Sequence, residues 1–249
     1  MLNVSSNIGV YNNTLMACDN KNKVNKNMSS FTGTQNHVNL NNHPAAIAFK
    51  GYAPEAHLRY GISKFVNFVK DESVKRIAFI SHAHPDLDAI GSMVAGKNII
   101  KEATGKVADI FVMNPLCENA TSLDPNKEIK VLADLFKDTK KIPEHMQEMF
   151  KSYDLVVVTD TPFKRLLDKD INEGILKNAK KVVKIDHHPL RADDSIADYK
   201  FADINIVDSK KDCASQIIMQ TLKPFGLDPN NVNPKISDAI ASGLLTDSG

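Results

Sequence analysis

Within the eight residues that follow Ser81 the chain places His82, His84, Asp86 and Asp88 around Pro85. The spacing His-x-x-x-Asp-x-Asp, taken from His82, Asp86 and Asp88, offers one borderline nitrogen and two hard oxygens. That donor mixture suits manganese, magnesium, zinc or cobalt ions. The same residues also fit a plainer use, with Pro85 and Asp86 as a turn and Asp88 as the N-cap of a following helix. Two more places carry similar side chains. Asp160 ends an apolar run in Asp160-Thr161-Pro162, where a single carboxylate also fits a cap or turn before Pro162. Asp186, His187 and His188 end another run; a buried structural histidine accounts for one imidazole, but two adjacent ones beside an aspartate point to a site. Asp247 adds a late carboxylate.

Groups so far apart in the chain need a scaffold that gathers them. Ile77-Ala78-Phe79-Ile80 is an apolar run that suits a strand covered on both faces of a parallel sheet. Small residues, Ala89, Gly91, Ser92, Ala95 and Gly96, open a helical pattern after it, so the acidic stretch occupies a strand-to-helix loop. In open α/β sheets such loops line the crevice where ligands bind. Further strands are expected at Val107–Met113, Leu155–Thr159, Val182 to Ile185 and Phe201–Val207. Helices are expected at Ala53–Lys70, where Ile62, Phe65, Val66 and Val69 keep helical spacing, and at Ala89–Glu102, Glu128–Phe136, Glu144–Lys151, Phe163–Asn178 and Asp212–Leu222. A last helix runs from Lys235 into a short apolar turn ending at Asp247. Three strands thus deliver Asp and His to one edge of an α/β arrangement.

Composition bounds the rest. The chain has 249 residues, 42% of them hydrophobic, and a formal net charge of +1, so it lacks the strongly basic balance of a protein that grips duplex DNA through its phosphates. Cys18, Cys117 and Cys213 are odd in number and widely separated, which argues against a disulfide frame and for a reducing compartment. No apolar run approaches the roughly 20 residues of a membrane span, and the N-terminus lacks the pattern of a signal peptide. A cytoplasmic protein is expected. Residues 1–50 form an Asn-rich segment, read as a disordered tail because it has too little periodic apolar surface to offset the entropy of ordering it. Residues 54–249 are read as the folded domain.

The stretches SHAHPDLDAIGS, VVVTDTP, IDHHP and GLLTDSG occur in the order and approximate spacing of the four motifs of the DHH phosphoesterase superfamily, which the chain resembles over about residues 74–249. Within it, the chain looks most like the branch of nanoRNases and pAp phosphatases, which cut very short oligonucleotides and remove phosphate from 3'-phosphoadenosine 5'-phosphate. The resemblance implies an α/β fold with a parallel sheet flanked by helices on both faces. It also implies two divalent ions, manganese first, with magnesium, cobalt or zinc as alternatives. Carried over by motif position, His82 and Asp86 resemble ligands of one metal and Asp88 a ligand of the other, with Asp160 bridging. His187 resembles a ligand of the second ion and Asp247 the last carboxylate. His188 would face the substrate phosphate, and Asp186 would accept an imidazole N–H from behind the metals. His84 is left out of the ligand set.

The resemblance further implies a two-metal hydrolase acting on a short oligonucleotide or nucleotide, with no duplex DNA or membrane as partner and a homodimer as one expected state. Enzymes of this kind continue past the fourth motif into a smaller C-terminal domain that grips the substrate. A chain end two residues beyond Asp247 leads to the expectation that this domain is missing by truncation. Two other readings stand beside this one: a different activity of the superfamily (cyclic dinucleotide phosphodiesterase, pyrophosphatase or exopolyphosphatase), and a catalytically silent binding module.

Overall fold

A computed structural model describes residues 54–135 and 153–247. The expected tail and the expected helix at Glu144–Lys151 lie outside the described residues. Helix α1 (Pro54–Lys70) buries Ile62, Phe65, Val66 and Val69 along one stripe. Strand β1 (Ile77–Ile80) leads through the acidic loop into α2 (Leu87–Thr104), which is followed by β2 (Ala108–Val112). Then come β3 (Ile129–Val131), the single turn α3 (Leu132–Leu135), β4 (Leu155–Thr159), the short α4 (Lys169–Ile171) and β5 (Lys181–Asp186). The chain continues through α5 (Ile196–Tyr199), β6 (Ile204–Val207), α6 (Ala214–Met219), α7 (Leu222–Phe225) and α8 (Pro234–Asp247).

The six strands form one sheet in the order β3-β2-β1-β4-β5-β6, and every neighbouring pair is parallel. Because side chains alternate along a strand, each central strand feeds two cores. Ile77 and Phe79 of β1 and Leu155 and Val157 of β4 pack with α1, α2, α6, α7 and α8. Ala78, Ile80, Val156 and Val158 face the other side, where Leu132, Leu167, Ile171, Ile175 and Leu176 cover them. Each fully buried aliphatic side chain of this kind contributes about 1.5–3 kcal/mol. The expected α/β fold with helical cover on both faces is what the chain adopts.

Several expected elements differ, among them the helix expected at Asp212–Leu222, which stops at Met219 before α7 begins. Glu128–Phe136 is not one helix: residues 129–131 form the edge strand β3, and only residues 132–135 turn helically. A strand of three residues is too short to show an alternating pattern. It is set instead by the Asp124 carboxylate, which accepts the N–H groups of Glu128 and Ile129 at 2.7 and 2.9 Å. Phe163–Asn178 breaks into a 3-10 turn at Lys164–Leu166, the three residues of α4 and a π turn at Asn172–Leu176. Gly174 inside it weakens helix propagation, and the widened turn seats both Ile175 and Leu176 in the second core.

Helix α8 lies close along α2. A Cβ at Gly91 would run into the carbonyl oxygen of Ala239, so only glycine permits this approach. The last helix therefore continues to Asp247 where the sequence suggested a turn. Among the described residues no helix is long and apolar enough to cross a membrane.

Candidate metal centre

The strand order reverses direction between β1 and β4. Loops leaving the carboxyl ends of two such strands run to opposite sides and open a crevice between them, the place where ligands bind in open α/β sheets. The acidic loop leaves β1 there, Asp160 follows β4, and β5 beside it ends in Asp186 with His187 and His188 next in the chain.

Each loop is built by its own residues. Asp86, not Asp88, is the N-cap of α2: its Oδ1 accepts the N–H of Ala89 at 2.9 Å. This leaves His82 and Asp86 on the approach to the helix. Asp160 has φ +49, a left-handed conformation that aspartate tolerates better than most side chains. Its N–H is tied to Ile185 O at 3.0 Å. The chain thereby turns sharply off β4 with the Asp160 side chain 3% exposed. Non-glycine residues in that conformation persist where the surroundings hold them, and sites are frequent places.

The side chains converge on Asp160. Oδ1 lies 3.4 Å from His187 Nε2 and 3.7 Å from His188 Nδ1, and Oδ2 lies 3.6 Å from His82 Nε2. Two sets of ligand atoms lie within 4.8 Å of one another: Asp160, His187 and His188 in one, His82, Asp86 and Asp160 in the other. Asp160 belongs to both. Its Oδ1 is buried yet accepts no hydrogen bond, an arrangement that costs free energy unless a cation completes it. Carboxylate oxygens with imidazole nitrogens fit a divalent transition ion or magnesium. These residues therefore fit a metal site.

The electrostatics agree. Burial pushes the Asp160 pKa up, but the imidazoles of His187, His82 and His188 outweigh this and hold the carboxyl below its usual range. Burial lowers His187, yet Asp160, with Asp88 and Asp186 behind it, lifts the ring to about 9. His188 is raised chiefly by its hydrogen bond to Asp186. The same carboxylates that raise these rings favour a cation among them.

Behind these groups stands a buried layer. Asp186 is fully buried and its Oδ1 lies 2.9 Å from His188 Nδ1, the placement expected of a carboxylate that orients an imidazole. His187 Nδ1 lies 3.3 Å from Lys211 O, and Tyr199 donates its hydroxyl to His188 O at 2.7 Å. Lys184, absent from the expected site, sits fully buried 3.5 Å from Asp186 Oδ2. The signal in the sequence was a lysine inside the apolar run Val182-Val183-Lys184-Ile185, where the inward face leaves no place for an unpaired charge.

Asp88 and His84 stand apart. Asp88 is fully buried in the first turn of α2, and its two oxygens accept the N–H groups of Ala214 and Ser215 at 2.6 and 2.9 Å. It is in neither set of converging ligands. Burial and the charge of Asp160 raise its pKa, against the hydrogen bonds from Ser215 and Ala214. The side chain of Asp247 lies outside the described residues. His84 is exposed and lies 3.4 Å from the Asn114 amide through Nδ1. An open cleft of about 720 Å³ includes the cluster in its lining: His82, Asp86, Asp160 and His188 border it together with Arg165 and Lys169. Arg165 stacks over Phe163 and is paired with Asp198.

Comparison with known proteins agrees with this fold. The fold is similar to that of an exopolyphosphatase-related protein from Bacteroides fragilis, with a TM-score of 0.63 at 19% sequence identity over 77% of this chain. The match takes in 51% of the other protein, so the chain spans about half its length. A family model described as the DHH family, N-terminal domain, matches residues 76–244, a span that contains every converging residue named above, and on that match the chain belongs to the DHH family.

Proposed function

We propose that this chain is the catalytic domain of a metal-dependent phosphoesterase that hydrolyses very short oligonucleotides or 3'-phosphoadenosine 5'-phosphate, with manganese as its ion. The observation that carries this reading is Asp160, shared by two sets of ligands and buried with an unsatisfied oxygen. His82 and Asp86 would hold one ion with Asp160, and His187 the other. Asp247 would complete the carboxylates, and Asp88 keeps lone pairs beyond the two that its backbone contacts use. Two divalent ions so held would lower the pKa of water and offset charge on phosphoryl oxygens.

The chain's own residues do the rest. The Asp160 carboxylate is held ionised, so it presents negative charge without losing a proton first. Asp186 takes up Nδ1 of His188, which leaves Nε2 as the nitrogen available to a phosphoryl oxygen. The cleft is open enough for a small anion, and Arg165 and Lys169 are among the residues that line it.

The name of the structurally similar Bacteroides fragilis protein supports inorganic polyphosphate as a second reading. Purified protein with manganese would be assayed against 3'-phosphoadenosine 5'-phosphate, a diribonucleotide, cyclic di-AMP, pyrophosphate and polyphosphate. Turnover of the first two, lost on metal removal, is expected. Polyphosphate cleavage alone favours the second reading, and manganese binding with no hydrolysis of any of them rejects both.

A further inference from the structure

Lys184 is the only fully buried basic side chain among the described residues. An ammonium taken out of water costs several kcal/mol unless its partners replace the lost hydration, and a valine or isoleucine would fill this strand position without that cost. The partners are therefore informative. Nζ donates to the carbonyl of Pro162 at 3.0 Å, lies 3.5 Å from Asp186 Oδ2, and sits 3.7 Å from the centre of the Tyr199 ring. Asp186 Oδ2 accepts no hydrogen bond, so the nearby charge of Lys184 is what offsets its burial.

These partners belong to three segments of the site. Pro162 is two residues past Asp160 on the turn that leaves β4. Asp186 ends β5 and contacts the ring of His188, and Tyr199 of α5 holds the backbone of His188. One cation touches the supports of Asp160 and of His188 together.

We propose that Lys184 is a positioning residue, joining the Pro162 turn to Asp186 and so setting the spacing of Asp160 against the histidine pair and the ring orientation of His188. This rests on the metal-centre reading given above. Burial draws the Lys184 pKa down to about 8 despite Asp186, which leaves the side chain mostly protonated at pH 7. No step of the hydrolysis is assigned to it.

The test uses the full chain and two Lys184 variants. Lys184→Met keeps the stem and removes the charge. Lys184→Met with Asp186→Asn removes both charges and leaves no unpaired buried ion where the single variant fails to fold; it is compared with Asp186→Asn alone, so that any further change in the ring belongs to Lys184. Lys180→Met, which loses a pairing with Asp154 at the far end of the same strand, is the control. In metal-free protein, nitrogen-15 spectra of the histidine rings report which nitrogen of His188 carries the proton. Wild type and control should share one His188 ring spectrum with the proton kept on Nδ1, as the cation or as the Nδ1–H form, and the Lys184 variants should depart from it. Calorimetric titration with manganese should show affinity weaker by about 10- to 100-fold in those variants, the range for residues that orient metal ligands. A folded variant with an unchanged His188 ring overturns the proposal, even if its melting temperature falls, because a purely structural buried pair predicts that pattern. Wild-type protein that takes up no manganese rejects the metal-centre reading instead, and the ring comparison still decides the role of Lys184.

Discussion

Oδ1 of Asp160 lies 3.4 Å from Nε2 of His187, across the carboxyl ends of two adjacent parallel strands. The two residues are 27 positions apart in the chain, and the register that pairs Thr159 with Ile185 brings them together. A strand pair with that register delivers the end of one loop beside the end of the next. The same logic on the other flank pairs Ile80 with Val158 and brings His82 within 3.6 Å of the same carboxylate.

Asp160→Asn keeps the size and the left-handed tolerance of the residue and removes its charge. It is expected to lower hydrolysis by more than about 100-fold and to weaken manganese binding together, because one group serves both sets of ligands. Parallel activity assays and manganese titrations check this. Manganese at about 100 times its Kd should add about 2.7 kcal/mol to wild-type stability, and that gain should vanish in the variant.

The backbone at Asp160 can be tested apart from its chemistry. At φ +49 glycine is unstrained, whereas alanine carries a penalty of about 1–2 kcal/mol. Metal-free Asp160→Gly should therefore unfold at higher denaturant concentration than Asp160→Ala, although both are inactive. Equal midpoints would mean that the turn is not held in the left-handed form.

Asp88 accepts two buried backbone N–H groups at the start of α6. Asp88→Ala leaves both unsatisfied, and the expected loss is about 1–3 kcal/mol in metal-free protein. At roughly 2–4 °C per kcal/mol for a domain of this size, calorimetry resolves the change. A residue that served a metal alone would leave the metal-free melt where it was.

Gly243 of α8 faces Asp88 from the other side. A Cβ there would lie 2.6 Å from Asp88 Oδ1 and would collide with Ser215 Oγ. Gly243→Ala should cost about 1–3 kcal/mol by overpacking, read from urea midpoints. Its effect should be non-additive with Asp88→Ala, because the second change makes room for the first.

Asp154 supplies a pH signature away from the centre. Burial works against its ionisation, but Lys180 at 2.7 Å and the N–H groups of Arg76 and Lys75 bring its pKa down to about 2. A depressed carboxyl stabilises the fold above its unfolded pKa, and that stability disappears as pH falls from about 4 through about 2. Because Lys180 is largely exposed, solvent screening reduces the contribution to about 1 kcal/mol. Asp154→Asn should be less stable than wild type at pH 7 and indistinguishable from it near pH 2. Denaturant midpoints across that interval check the sign.

Much of the scaffold could be read from residue types. Leu155-Val-Val-Val-Thr159 could hardly be other than a strand buried on both faces, and the four-residue apolar run of β1 likewise. Motif order led to the expectation that His82, Asp86, Asp88, Asp160, His187 and Asp247 would converge; His82, Asp86, Asp160 and His187 come together, Asp88 turns to α6 instead, and the Asp247 side chain lies outside the described residues. The three-residue strand β3 and the broken segment after Pro162 were not legible, because side-chain contacts to Asp124 and to the second core set them and local periodicity did not.

The order of apolar runs and polar loops determined that His and Asp would gather at one sheet edge, because parallel strands joined by helices all end on the same side. Only the tertiary structure decided how each carboxylate is used. Asp86 caps a helix at the cleft, Asp88 turns inward to hold α6, and Asp160 alone meets histidines from both sides. It also decided that Lys184 lies beneath Asp186. Such choices depend on which N–H, imidazole or ammonium comes within about 3 Å in space, and chain separation says nothing about that distance.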